Sequence, residues 1–309
     1  MWRYVVKRLL LLIPVILGAI LIISFVLSLS KGSPAEIILG PGFQQEEYDE
    51  YNKELGFSDP FFVRYFRYVG NLVKGDFGTS YYNKTTVWSE LKARIPISLR
   101  TTFMALALAA LIGVPLGVLT AVKQYSIFDT IPTAMAMIFA ATPVFWLGML
   151  LMFFFAVKLG WFSVLPMGKF SDLILPTLSR GLPHAARQMR FTRSSMLEAI
   201  REDYIRTARA KGCKERTVIW RHAVKNALLP VITVIGNSFG AMFGGTVIIE
   251  KLFVINGIGS LMVKGIGNRD VPIVTGCVVI IALVYSLVTM VVDILYAYID
   301  PRTKARFIK

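Results

Sequence analysis

Residues 173–200 read LILPTLSRGLPHAARQMRFTRSSMLEAI, and the fold turns on whether this stretch crosses a membrane. It carries Arg180, His184, Arg187, Arg190 and Arg193, a charge density that hydropathy alone rejects as a span. The surrounding chain decides otherwise. Apolar runs extend from about Leu9 to Leu29, Phe103 to Val122, Thr130 to Val157 and Val271 to Val292, with a glycine-rich one from Ala227 to Ile249. Basic residues gather at the N-terminus (Arg3, Lys7, Arg8), in the tail (Arg302, Lys304, Arg306, Lys309) and between Arg187 and Lys225, where eleven Lys or Arg meet four acids. Short basic connections stay in the cytoplasm. Three spans precede the central basic block, so one more crossing is required near 173–190. The sequence therefore predicts a fourth helix whose polar positions face the protein interior and whose C-terminal half projects into the cytoplasm. An amphipathic helix lying on the membrane surface is the competing reading.

The composition agrees with a bilayer protein. Of 309 residues, 55% are hydrophobic, and the mean hydropathy is +0.60. One soluble core of this size does not bury so much apolar surface. The net charge of +15 flanks spans rather than forming a patch, which argues against a nucleic-acid partner. Cys213 lies in a basic loop and Cys277 in an apolar run, so no disulfide framework is implied. Residues 9–29 are 21 uncharged positions, too long for a usual signal peptide and enough to span. The expectation is an all-α integral membrane protein with about six transmembrane helices. Residues 1–30 supply a cytoplasmic N-terminus and the first helix, and 31–97 a small extracytoplasmic region between helices 1 and 2. Residues 98–299 supply a five-helix core with a cytoplasmic loop at 200–225, and 300–309 a cytoplasmic tail. The extracytoplasmic segment is nearly neutral and turns at Gly40-Pro41-Gly42. Shorter outer segments lie near 158–172 and 250–270.

The stretch Asp203-Tyr204-Ile205-Arg206-Thr207-Ala208-Arg209-Ala210-Lys211-Gly212 follows. Asp203 is placed to cap a helix, Arg209 and Lys211 suit its negative end, and Gly212 can close it in the left-handed conformation. The helix is about 12 Å long at about 1.5 Å per residue. It is too polar to span and too short to stand alone, so flanking helices or a partner must hold it. Ala208 and Ala210 leave room for a close approach. From the residues alone, an ordinary capped surface helix stays open as a reading.

This stretch resembles the cytoplasmic signature loop of ABC-importer permeases, Glu-Ala-Ala, three residues, then Gly. Ala208 and Gly212 match that core, Arg206 and Thr207 depart from it, and Leu229-Pro230 stands later than the general pattern expects. Both departures resemble the dipeptide, oligopeptide, nickel and glutathione branch. So do Gly75-Asp76-Phe77-Gly78-Thr79-Ser80, Thr192-Arg193-Ser194-Ser195-Met196-Leu197-Glu198, Arg221-His222-Ala223, Asn226-Ala227-Leu228-Leu229-Pro230, Asn268-Arg269-Asp270 and Asp300-Pro301-Arg302. The resemblance covers nearly the whole chain and is to the first of the two permease subunits of a peptide importer. It implies a type I ABC-importer permease architecture in a bacterial plasma membrane, with both termini cytoplasmic. It implies four kinds of partner: a second permease, in a heterodimer; two cytoplasmic ATPases; an extracytoplasmic peptide-binding protein; and membrane lipid. Asp203, Tyr204, Arg206, Thr207, Ala208, Ala210, Lys211 and Gly212 would couple the permease to the ATPases, which bind the ATP and Mg; no cofactor and no metal belong to this chain.

Two patterns are decoys. Gly70-Asn71-Leu72-Val73-Lys74-Gly75 has phosphate-loop glycines but continues with Asp76 and Phe77, lacking the phosphate-binding lysine. Gly236-Asn237-Ser238-Phe239-Gly240 matches a nucleophile elbow but lies in an apolar helical run. Gly236, Gly240 and Gly244 instead line one helix face and predict close helix packing. His184 and His222 make no metal site. No catalytic site is expected. Pro14, Pro115, Pro132, Pro143 and Pro183 predict kinks. Arg180, His184, Asn237 and Ser238 are candidates for the substrate path, since polar groups avoid lipid. The clear spans contain no acid except Asp293, which disfavours an ion-coupled secondary transporter. Nickel, glutathione or oligosaccharide import stands as the alternative to peptide import.

Overall fold

With no water in the hydrocarbon layer, a spanning backbone must bond to itself, and the apolar runs fold as helices. The structure is a computed structural model that describes residues 2–29 and 33–299. The basic tail and the Asp300-Pro301-Arg302 motif lie outside the described residues, as does Lys31. Helix α1 covers Trp2–Ser28. Three short helices follow, α2 (Pro34–Leu39), α3 (Gln45–Glu54) and α4 (Phe61–Val73). The core begins with α5 (Val87–Val122), α6 (Ile127–Ala141), α7 (Val144–Lys158), α8 (Ile174–Arg201) and α9 (Asp203–Ala210). It is completed by α10 (Glu215–Gly244), α11 (Thr246–Leu252), α12 (Ile258–Gly267) and α13 (Val271–Ile299). The only strand pairing among the described residues is one bridge, Thr79 to Thr86.

The deciding stretch is a helix of 28 residues, and it lies inside the bundle. It packs parallel to α5 along its length, Gly181 against Leu108 and Gly117 against Thr192. Gly113 and Gly117 have no room for a side chain: a Cβ at Gly113 would lie 2.6 Å from the Ala185 carbonyl. The two backbones therefore touch, and the α5 glycines matter more to the bundle than the sequence reading allowed. Arg180, Gln188 and Thr192 are buried, whereas Arg187 and Arg190 are exposed. The expectation that polar positions all face inward is corrected for those two arginines.

Antiparallel to α8 run α6 and α7. Asp129 at the start of α6 binds Arg193, Ala136 packs with Ala186 and Met189, Gly148 meets Ser179, and Ala156 clusters with Leu175. The third span, expected to be continuous over Thr130–Val157, is instead broken, the two helices meeting at 104°. The cause is local: Pro143 drives Thr142 into extended backbone (φ −76°, ψ 125°). The pair still traverses the full length of α8.

Other boundaries also move. Val87 begins α5, so the expected limit of the outer region at residue 97 falls within a continuous helix. The fifth span starts at Glu215 and ends at Gly244, with α11 as a separate element. In α10, Gly236 faces Val292 and Gly240 faces Tyr285 of α13. Gly276 of α13 meets Val87 and Leu91 of α5, and Arg8 of α1 pairs with Asp293. Among the described residues α1, α5, α10 and α13 are long and apolar enough to cross a membrane, as is the bent pair α6–α7 taken as one span. Helix α8 runs alongside α5, and one face of the molecule holds Arg8, the 123–126 turn and α9.

Candidate functional site

α9 emerges because a single extended residue, Glu202 (φ −67°, ψ 149°), ends α8 and starts the next helix. Glu202, not Asp203, occupies the capping position, and its side chain makes no cap bond. Asp203 is the first helical residue and pairs with Arg206 at 3.6 Å in the open. The capping role expected for Asp203 is corrected: the chain turns one residue earlier, where the carbonyls of α8 end.

The other end matches expectation. Gly212 has φ +77°. Its N–H donates to the Arg209 carbonyl (2.9 Å), and the Cys213 N–H donates to the Ala208 carbonyl (3.3 Å), the paired bonds of a left-handed helix stop. A Cβ on Gly212 would meet nothing within 4 Å, so the demand for glycine is conformational, not steric.

Ile205 and Ala208 are the buried residues of α9. They enter a cluster with Val118 and Ala121 of α5, Met196 of α8 and Val218 of α10. Ala208 is therefore spent on bracing the rod, not on admitting a partner. Tyr204, Arg206, Thr207, Ala210, Lys211 and Gly212 stay exposed, and Thr207 donates to the Asp203 carbonyl. Arg209 grips Glu215 at the start of α10 through two bonds (2.6 and 3.1 Å). The hydrogen bond to Glu215 raises the Arg209 pKa above its ordinary value, keeping the clamp charged. The result is a rod tied to three long helices, with an exposed outer face.

The path candidates fare differently. Arg180 is 3% exposed and donates to the Met242 carbonyl, Thr102 (3.3 Å) and Thr246 (3.5 Å). Thr246 in turn donates to Glu250 (2.7 Å), which also accepts from Ser98 (2.6 Å) and the Ser260 N–H (2.9 Å). Arg180 is thus a structural knot joining α5, α8, α10, α11 and α12, buried among them and facing no open space. Glu250 is 1% exposed and was missed, because a lone acid ending an apolar run reads as loop. His184 is half-buried and Asn237 exposed, while Ser238 donates to the Val234 carbonyl. Gly244 meets nothing within 4 Å, so it does not share the packing of Gly236 and Gly240.

Two motifs that stand 190 residues apart meet on the opposite face. Ser80 donates to the buried Asp270 carboxylate at 2.5 Å, and Arg269 binds Glu36 at 2.8 Å. Burial, aided by Asp270, pushes the neighbouring Tyr81 hydroxyl up to about 12. The outer helices are thereby latched to the start of α13. Gly70 and Gly75 serve α4 and its left-handed stop, and Gly236–Gly240 is helical, so neither decoy has the geometry of its motif. Among the described residues no three His, Cys, Asp or Glu converge to hold a metal ion.

The sequence matches two parts of one family, the binding-protein-dependent transport system inner membrane component over residues 113–305 and its N-terminal part over residues 1–102. It is 37% identical over 316 residues to the oligopeptide transport system permease protein AppB of Bacillus subtilis, covering 98% of this chain and 99% of that one. It is 35% identical to the dipeptide transport system permease protein DppB of Alkalihalophilus pseudofirmus, covering 98% and 100%. It is 37% identical to the glutathione transport system permease protein GsiC of Salmonella typhimurium, covering 97% and 98%. In three dimensions it resembles a chain of the MetNI methionine ABC transporter in an inward-facing conformation (TM-score 0.57, 19% identity, 68% of this chain and 96% of that chain). It also resembles a chain of an amino acid ABC transporter crystallised with histidines (TM-score 0.53, 14% identity, 69% and 94%).

Proposed function

The chain belongs to the family of binding-protein-dependent transport system inner membrane components, and from that membership we propose that it carries peptides through a bacterial plasma membrane as one permease of an ATP-driven importer. The termini and α9 face the cytoplasm. ATP and Mg are handled by two partner ATPases, and an extracytoplasmic binding protein delivers the peptide.

The observation that carries the reading is the braced rod. α9 gives Ile205 and Ala208 to its own bundle and keeps Tyr204, Arg206, Thr207, Ala210 and Lys211 outside. Force applied to that face reaches α5, α8 and α10 together. An ATPase that grips α9 differently in its two nucleotide states biases the bundle between inward- and outward-facing arrangements. Arg187 and Arg190 are exposed on α8, and lipid is a poor solvent for them, which supports a second permease or an aqueous path against that helix.

Glutathione is itself a tripeptide, so its import falls in the same chemical class. The test is uptake of labelled dipeptides, longer peptides, glutathione and nickel in cells lacking this chain. Loss of peptide or glutathione uptake is expected. Unchanged uptake of all peptides with loss of nickel uptake would overturn the substrate class while leaving the transporter class intact.

A further inference from the structure

On the face opposite α9, α4 leans on α1 and closes a cavity. Phe61 packs edge-on to Phe25 (6.0 Å), and Tyr65 donates to the Leu17 carbonyl (3.2 Å). The cavity consists of two adjoining halves that share Arg64, Tyr68, Tyr81 and Pro272 as lining. One half is largely apolar and lies against α1, between Ser24, Ser28, Phe57, Phe61 and Tyr65. The other, about 300 Å³, is more mixed and is bounded by the polar side chains of Glu54, Arg67, Asn71, Thr79, Ser80 and Lys84.

Four buried side-chain polar atoms among the described residues lack a hydrogen-bond partner, and two of them, Arg64 Nε and Tyr68 OH, belong to the residues shared by both halves. Such groups cost free energy unless an acceptor arrives. Arg64 forms no ion pair among the described residues; its guanidinium lies 4.5 Å from the centre of the Phe57 ring. Arg67 is taken by Asp59 at 2.6 Å, and Lys84 lies 4.9 Å from the Tyr51 ring centre. Burial raises the Tyr68 pKa above that of an ordinary phenol, so the hydroxyl keeps its proton. The site therefore presents a cation and a hydroxyl without an acceptor, beside an apolar slot.

We propose that this cavity holds the headgroup phosphate of an anionic glycerophospholipid, bound by Arg64 and Tyr68. The amphipathic lining selects this occupant over a free anion or a peptide carboxylate. From the slot a chain continues onto the exposed stripe of Ile22, Phe25 and Val26 on α1, and α4 turns Phe62 and Phe66 outward beside it. The lipid would pin α4 to α1 and fix the outer region on the membrane surface. This inference needs only the membrane setting, so it stands or falls apart from the choice of substrate.

The test is native mass spectrometry of the assembled transporter titrated with phosphatidylglycerol and phosphatidylcholine. One phosphatidylglycerol per chain is expected in preference to phosphatidylcholine. Retention should weaken roughly tenfold in an Arg64→Gln, Tyr68→Phe double variant, the loss of a charged hydrogen bond. Should that variant not assemble, Ser24→Trp fills the apolar slot without touching either donor, and the same weakening is expected. Equal retention in wild type and variant would overturn the proposal. Displacement of the lipid by inorganic phosphate, or by a tripeptide but not its C-terminal amide, would overturn it in favour of those ligands.

Discussion

Two residues carry more of the account than their size suggests. Gly212 at φ +77° stops α9 in a conformation that costs an L-residue about 1–2 kcal/mol. A β-branched side chain is worse placed there than asparagine, which tolerates the left-handed region. Gly212→Val should lower uptake at least tenfold with unchanged membrane abundance, while Gly212→Asn keeps most of it. Quantitative immunoblotting beside the uptake assay separates coupling from insertion, and normal uptake by Gly212→Val would remove the stop from the coupling account. Glu250 is the other case. Its carboxylate has three donors and is linked through Thr246 to Arg180, so Glu250→Ala leaves Ser98, Thr246 and the Ser260 N–H without their acceptor beside a buried guanidinium. A loss on the order of 3–5 kcal/mol is expected, read as a drop in the unfolding midpoint of the purified complex. Glu250→Gln, which retains one acceptor oxygen, should fall between the two.

Among the elements, the α5–α8 pair sets the frame. Its helices touch backbone to backbone at Gly113 and Gly117, where a Cβ would lie 2.6 and 2.7 Å from carbonyl oxygens of α8. Gly117→Ala should therefore destabilise the complex by about 1–3 kcal/mol, the usual cost of overpacking. Gly244→Ala, with nothing within 4 Å, should not lower the melting temperature. A reversed order in thermal shift measurements would contradict the packing. The sequence carried the existence of α8 through charge parity, and α9 through its terminal glycine. What it hid is instructive. The first turns of α5 carry Glu90, Lys92, Arg94 and Arg100, which lower local hydropathy although the helix simply continues outside the membrane. The break between α6 and α7 was visible only as Pro143, and a proline in a span signals a bend without its size. The contacts of Arg180 with Thr102 and Thr246, and of Ser80 with Asp270, join residues 66 to 190 positions apart, a separation that local spacing does not encode.

At the scale of the whole molecule, the bundle brings the start of α1, the 123–126 turn and α9 to one face and the latched outer segments to the other. The half-buried Cys213 follows the stop of α9, whereas Cys277 is buried in α13. A membrane-impermeant thiol reagent should label Cys213 in inverted vesicles and leave it unlabelled in intact spheroplasts. The central claim is narrower still: a partner ATPase holds the exposed face of α9. It is tested most directly by attaching a photo-cross-linker to a Cys213→Ser, Ala210→Cys variant within the assembled transporter. The expected result is an adduct with the ATPase subunit whose yield changes between nucleotide-free and ATP-bound states. An actively transporting variant that forms no such adduct in either state would contradict it.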